Sequence, residues 1–205
     1  MLKNNYFSEI CNVEIIFHRR NKISQLLECP LNFGVEVDIR SNGRELIIHH
    51  DPFSIGELFE EWLANYEHGR LILNVKEEGL EEPLLKLMKK YSIENFFFLD
   101  QSFPHLVKTA SNGESRCAVR VSEFESLETA LALSGKIEWI WVDFFTHFPL
   151  DCQKYQRLKN AGFKLCLVSP ELQGFSIKVV ENLQEILRSR GLIPDAVCTK
   201  VPNLW

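Results

Sequence analysis

Eight short runs rich in aliphatic, β-branched and aromatic residues recur along this chain, at 13–17, 34–40, 71–75, 96–99, 117–121, 139–143, 164–168 and 195–200. Most are separated by segments whose apolar residues repeat with helical period. Parallel strands need a crossover long enough to hold a helix, so strand–helix alternation implies a parallel sheet. Eight strands at roughly 20–30-residue spacing predict an α/β fold of the (β/α)8 TIM-barrel type. At 205 residues the barrel is compact and forms one domain over residues 1–205; barrels of this kind typically need ~250 residues. A doubly wound open sheet is the alternative reading of the same alternation.

The helical segments carry their own signals. Ile55, Leu58, Phe59, Trp62 and Leu63 form one stripe behind a Ser54-x-x-Glu57 capping box, which predicts a helix from about Ser54. Leu80, Leu84, Leu87 and Met88 form a second, with Pro83 suited to a first turn. Leu127, Leu131 and Ala132 make a third, and residues 177–187 a fourth that ends at Arg188, Arg190 and Gly191. Trp205 lies five residues after the eighth run, so the usual last helix is missing. Residues 1–12 or another subunit would have to cover that gap. An exposed Leu204 and Trp205 would leave an apolar patch, which makes a homodimer the expected assembly.

A net charge of −5 argues against a nucleic-acid or anionic-membrane partner. The six cysteines (11, 29, 117, 152, 166 and 198) form no C-x-x-C pair and sit mostly among apolar residues, as buried free thiols would. No run approaches the ~18 apolar residues of a membrane span, and no signal-like segment opens the chain. A cytoplasmic protein is expected.

The chemistry concentrates in residues 17–51. Side chains alternate along a strand, so Glu36 and Asp38 share one face while Val35, Val37 and Ile39 take the other. Two carboxylates near a barrel rim repel unless a cation or a basic side chain joins them. A divalent metal answers that need, and a carboxylate–Arg network without metal is the alternative. His18 follows the first strand, and His50 ends a run that Asn42-Gly43 turns back after the second. His49 and His50 point opposite ways in extended chain, so only one faces the site. Lys76 ends the third strand on the same face as Asn74; it suits a phosphate contact or a solvated rim position.

With those residues assembled, the sequence resembles the glycerophosphodiester phosphodiesterase family, whose barrel superfamily also holds phosphatidylinositol-specific phospholipase C. That family has H-R-G after strand one, E-x-D on strand two, then G…H-D, E-x-K on strand three, and a T-D-x-P-type element near strand eight. The matching positions are His18-Arg19-Arg20, Glu36-Val37-Asp38, Gly43 with His50-Asp51, Asn74-Val75-Lys76, and Thr199-Lys200-Val201-Pro202. Gln101-Ser102-Phe103 resembles the family's S-F step. The resemblance implies His18 and His50 as the acid/base pair and Arg19 as a phosphate ligand. It also implies Glu36 and Asp38 as ligands of Mg2+ or Ca2+, and Lys76 as a counter-charge for the phosphoryl oxygens.

The departures are specific. Asn74 stands where the family has its third metal carboxylate; an amide oxygen can still ligate, with lower affinity. Arg20 replaces a glycine, the P-E-N-T segment is absent, the W-T-V-N stretch reads Val168-Ser169-Pro170-Glu171, and the insertion after H-D shrinks to Pro52-Phe53. The expected function is metal-dependent hydrolysis of a small soluble phosphodiester: glycerophosphodiester-like, sugar-phosphate or nucleotide-linked. A catalytically impaired barrel that binds a phosphorylated ligand or partner is the second reading. A lyase-like reaction on a phosphodiester lipid ranks last, for want of an apolar membrane-binding loop.

Overall fold

The computed structural model describes residues 13–205, so Cys11 and the expected cover from residues 1–12 lie outside the described residues. The chain divides into two compact units, one of residues 17–118 and one of residues 119–205 with the described residues before 17.

The 17–118 unit begins as strand β1 (Glu14–Phe17) ends. After a short helix α1 (Ile23–Leu27), strand β2 (Gly34–Ser41) pairs in parallel with β5 (Leu71–Val75). Strand β5 pairs in turn with β6 (Phe96–Leu99), also in parallel. Helices α3 (Glu81–Lys90) and α4 (Phe103–Ser111) follow these strands. Val35, Val37, Ile39, Leu71, Leu73 and Val75 are buried on one face of the pair, with Glu36, Asp38, Ile72 and Asn74 alternating onto the other.

This unit contains a detour that parallel alternation does not predict. Strand β3 (Leu46–Ile48) folds back antiparallel onto β2, and β4 (Glu57–Leu58) pairs antiparallel with β3. The Asn42-Gly43 turn forms as expected: the Asn42 side-chain oxygen accepts from the Arg44 and Glu45 amides, and Gly43 takes φ +90°.

The predicted helix start at Ser54 is corrected. Helix α2 spans only Phe59–Leu63, and Ile55 is fully exposed rather than on a buried stripe. Glu57 does not reach back to a cap; its carboxylate accepts from the Ile23 amide at 2.7 Å, while its backbone pairs with Ile48. Gly56 permits that close approach, since a Cβ there would lie 2.2 Å from the Ile48 carbonyl oxygen. Cross-strand pairing and a long-range carboxylate bond override the local helix signal.

In the other unit, β8 (Trp139–Val142), β9 (Lys164–Val168) and β10 (Ala196–Thr199) pair in parallel. Strand β7 (Ala118–Val121) precedes them and leads to α5 (Leu127–Leu131), where Ser126 accepts from the Glu128 amide as an N-cap. Helix α6 (Cys152–Asn160) is capped by Asp151, and α7 (Ile177–Arg190) ends on Gly191 at φ +63°. Gly191 gives the left-handed C-cap that its position in the sequence predicts.

Two further expectations change here. Trp205 is buried, with its indole N–H donating to Ser169 Oγ at 2.9 Å, so it contributes nothing to an exposed patch. Cys29, Cys117, Cys166 and Cys198 are buried and form no disulfide among the described residues, whereas Cys152 is exposed in the first turn of α6. Among the described residues, no helix is long and apolar enough to cross a membrane.

Candidate active site

The predicted site residues all fall in the 17–118 unit. Register brings three of them together: Asp38 and Asn74 are direct partners across the β2–β5 pair, and Glu36 lies two residues back on the same face. Glu36 and Asp38 are fully buried. Burial of an ionised carboxylate costs several kcal/mol unless it is paired and hydrogen-bonded. The surrounding chain is arranged to offset that cost.

Arg19 does the most. It adopts φ +58°, a left-handed conformation that costs a non-glycine residue on the order of 1–3 kcal/mol. In that conformation its backbone N–H donates to Glu36 Oε2 at 2.7 Å, and its guanidinium Nε stands 3.1 Å from Asp38 Oδ2. The strain thus lies at the residue that serves both acids. Arg20, where the family has glycine, does not carry the positive φ. Its guanidinium rests over the Phe17 ring at 4.5 Å, and its carbonyl accepts from the Trp62 indole.

Lys76 is not a solvated rim lysine. It is largely buried, with its ammonium 3.3 Å from Asp38 Oδ1 and 3.1 Å from Asp100 Oδ2. Asn74 turns its amide N–H toward Glu36 Oε1 at 2.7 Å, and its own oxygen has no hydrogen-bond partner among the described residues. Burial first, and then the charge of Asp38, pushes the Glu36 carboxyl up to about 7. The Asn74 amide, the Lys76 ammonium and the Arg19 N–H pull in the opposite direction.

The histidines occupy two settings. His18 directly follows β1, with Nε2 3.8 Å from Glu36 Oε2. His50 is 43% exposed, and its Nδ1 lies 2.7 Å from Asp51 Oδ1. Its carbonyl accepts two bonds from the Arg40 guanidinium, at 3.0 and 2.9 Å, which anchors the loop to β2. The hydrogen bond from His50 lowers the Asp51 carboxyl, and the charge of Arg19 adds to that effect. His49 is turned inward on its own loop: its Nδ1 accepts from the Asp51 amide at 3.0 Å. Of the two adjacent histidines, His50 is therefore the one with a carboxylate to orient it.

Three participants carry no role assigned from sequence. Asn21 clamps Asp38 reciprocally, its Nδ2 donating to Oδ2 at 2.7 Å and its Oδ1 accepting from the Asp38 amide at 3.0 Å. Asp51 orients His50, and Asp100, itself at φ +60°, holds Lys76. Asp51 belongs to the His50-Asp51 pair and Asn21 follows His18-Arg19-Arg20, and position within or beside those motifs was the available signal. Asp100 directly follows β6 and precedes the Gln101-Ser102-Phe103 step.

The expected ligands of a divalent cation, Glu36, Asp38 and Asn74, fit one poorly. Among the described residues, three of the four carboxylate oxygens accept a hydrogen bond, while Asp38 Oδ1 accepts none and faces the Lys76 ammonium at 3.3 Å; two of the groups facing Asp38 are cations. Asn74 offers Glu36 its N–H rather than contributing an oxygen beside it. Among the described residues, no group of three or more His, Cys, Asp or Glu side chains is placed to hold a metal ion.

No protein-family model matches the sequence, and no curated protein matches it. Solved structures do. The chain is similar to a glycerophosphodiester phosphodiesterase from Agrobacterium tumefaciens, at 15% identity and a TM-score of 0.64, over 94% of this chain and 97% of that one. A protein from Galdieria sulphuraria, assigned provisionally to the same activity, gives a TM-score of 0.69 at 15% identity, covering 94% and 96%. A mutant tryptophan synthase α-subunit from Pyrococcus furiosus also matches, with a TM-score of 0.57 at 10% identity, covering 94% and 88%. Proteins of different chemistry thus share this backbone, so the likeness speaks to fold, and the side chains must argue for activity. The chain carries the fold of the glycerophosphodiester phosphodiesterases, a TIM-type (β/α)8 barrel.

Proposed function

We propose that this chain is a phosphoric diester hydrolase of the glycerophosphodiester phosphodiesterase type. The observation that carries the reading is the convergence, within one unit, of His18, Arg19 and Lys76 around the Glu36–Asp38 pair, with a carboxylate-oriented His50. A buried carboxylate pair needs counter-charge, but stability alone does not ask for a histidine beside it and a second, carboxylate-oriented histidine on a loop tied to the same strand by Arg40.

The chemistry follows from those positions. Phosphodiester cleavage needs one group to take a proton from the attacking water or hydroxyl and another to protonate the departing alkoxide oxygen. His18 and His50 divide those transfers. Asp51 engages His50 Nδ1, which leaves Nε2 to move the proton, as an orienting carboxylate does for a catalytic imidazole. Arg19, 38% exposed, and Lys76 direct positive charge at the phosphoryl oxygens, where negative charge grows in the transition state.

A cavity of about 210 Å3 adjoins Lys76, lined in part by Asp100, Gln101, Ser102, Glu77, Glu78 and Glu81. Its size suits a small diester. Its acidic wall suits a hydroxyl-bearing or cationic alcohol arm better than a second phosphate. A glycerophosphodiester-like compound is the preferred substrate, ahead of a sugar-phosphate or nucleotide-linked one.

The test is alcohol release from glycerophosphodiesters, or aryl alcohol release from a model aryl phosphodiester. His18→Ala and His50→Ala should each lower turnover by ~10²-fold or more, the scale of general acid/base contributions. Unchanged turnover in both variants would sink the assignment.

A further inference from the structure

We propose that Arg19 and Lys76, rather than a divalent cation, supply the positive charge of this site, and that Asn74 sets the choice. The inference rests on the diesterase reading above and concerns how that site is charged.

Asp38 is flanked by both cations: Arg19 Nε at 3.1 Å from Oδ2 and Lys76 Nζ at 3.3 Å from Oδ1. A dication on those oxygens would displace one or both, or sit against them and be repelled. The Arg19 main chain is fixed by its N–H on Glu36 and by its left-handed backbone, which sets the guanidinium beside Asp38, and the Lys76 ammonium is held by Asp100. Asn21 fills the remaining approach to Asp38 Oδ2.

Glu36 is occupied in a different way. Asn74 Nδ2 donates to Oε1 at 2.7 Å, and the Arg19 amide donates to Oε2 at 2.7 Å. A carboxylate at position 74 could not make the first bond. It would face Glu36 as a third buried anion and require a cation to join them. The amide removes one negative charge and supplies a donor at the same place. One substitution on β5 thus fits an acid pair neutralised by fixed side chains. Ligand field and charge for a hard cation fall together.

The experiment uses the full chain and needs no substrate for its main arm. Calorimetric titration with MgCl2 and CaCl2 up to about 5 mM should give no saturable binding, and neither salt should shift the melting temperature. Saturable binding with a Kd below about 1 mM would overturn the proposal. Asn74→Asp should melt below wild type in metal-free buffer, gain saturable Mg2+ or Ca2+ binding, and recover its melting temperature when metal is added. Failure to gain binding overturns the role given to Asn74. Should Asn74→Asp not fold even with metal, Lys76→Met decides: with one cation removed from Asp38, it should bind Mg2+ where wild type does not, and no gain counts against the proposal. In the activity arm, hydrolysis of the aryl diester should agree within about 2-fold between excess chelator and added Mg2+, and a loss above 10-fold on chelation, restored by metal, would overturn it. Absence of hydrolysis under every condition overturns the diesterase reading, and the titrations still decide the charge question.

Discussion

Two carboxylate sites of this protein, Glu171 in the 119–205 unit and the Glu36–Asp38 pair in the 17–118 unit, are satisfied in opposite ways. In the 119–205 unit, Glu171 is satisfied by neutral groups: the Ser169 hydroxyl, the Thr199 hydroxyl at 2.6 Å and the Lys200 amide at 2.8 Å. Those donors belong to or adjoin β9 and β10, and Trp205 closes on Ser169 from the chain's last turn. In the 17–118 unit, Glu36 and Asp38 draw on cations carried by long side chains, with His18 at the margin. Neutral donors hold a carboxylate and have nothing further to offer. Cations beside partly exposed imidazoles keep charge that an anionic substrate can recruit. The first arrangement is a clamp, and the second has the makings of a catalytic centre.

That contrast breaks most readily at Lys76. Lys76→Met keeps the volume of the side chain and removes its charge, leaving Asp38 buried against Arg19 alone. Turnover should fall by ~10²–10³-fold, the scale of losing one preorganised charge in an active site. Stability should fall less, by about 2 kcal/mol, since Arg19 and Asn21 still serve Asp38. Steady-state kinetics beside denaturant unfolding separate the two. A variant that loses stability but keeps turnover would make this region a second clamp.

Glu36 gives the next largest effect, through pH. Its carboxyl is raised from an ordinary 4.5 to about 7 by burial and by Asp38. The folded state therefore keeps a proton that the unfolded chain has released. The stability this group contributes is whole below about pH 4.5 and is lost as pH rises through about 7. Fully expressed, that difference amounts to about 3 kcal/mol. Glu36→Gln cannot ionise, so its unfolding free energy should fall less than that of wild type between pH 5 and pH 8. Parallel profiles for the two proteins would mean that Glu36 is ionised throughout.

What the sequence makes legible divides along a physical line. Strand positions and the shared face of Glu36, Asp38 and Asn74 follow from period-two alternation, which burial enforces, and the structure keeps them. Helix α7 and its glycine cap follow from local signals of the same kind. The Ser54 capping box fails because its glutamate has a better long-range partner in the Ile23 amide, and no local window contains that information. Trp205 reads as exposed because Ser169, its hydrogen-bond partner, lies 36 residues away. At the candidate site, residue types point to charge chemistry, but the source of the positive charge depends on rotamers. The letter N at position 74 does not say whether the amide offers its oxygen or its N–H. The left-handed backbone at Arg19 is equally silent in sequence, because arginine rarely adopts it without tertiary support.

The smallest expected effect tests the clamp itself. Thr199→Val is nearly isosteric and deletes the hydroxyl that donates to Glu171 Oε1 and accepts from the Val201 amide at 3.0 Å. The Val201 amide loses its partner, and Glu171 keeps only the Ser169 hydroxyl and the Lys200 amide. Leaving such groups short of a bond costs about 1–3 kcal/mol, and Glu171 is only partly buried, so the low end of that range is expected. Urea unfolding should show this as a lower midpoint with an unchanged m-value, because the native surface is preserved. Turnover per folded molecule should stay within about 2-fold of wild type, since a neutral donor in a clamp stabilises no developing charge. A fall in turnover of ~10²-fold with little loss of stability would show the opposite. Thr199 and Glu171 would then belong to the chemistry, and the division between a clamp in one unit and a catalytic centre in the other would have to be abandoned.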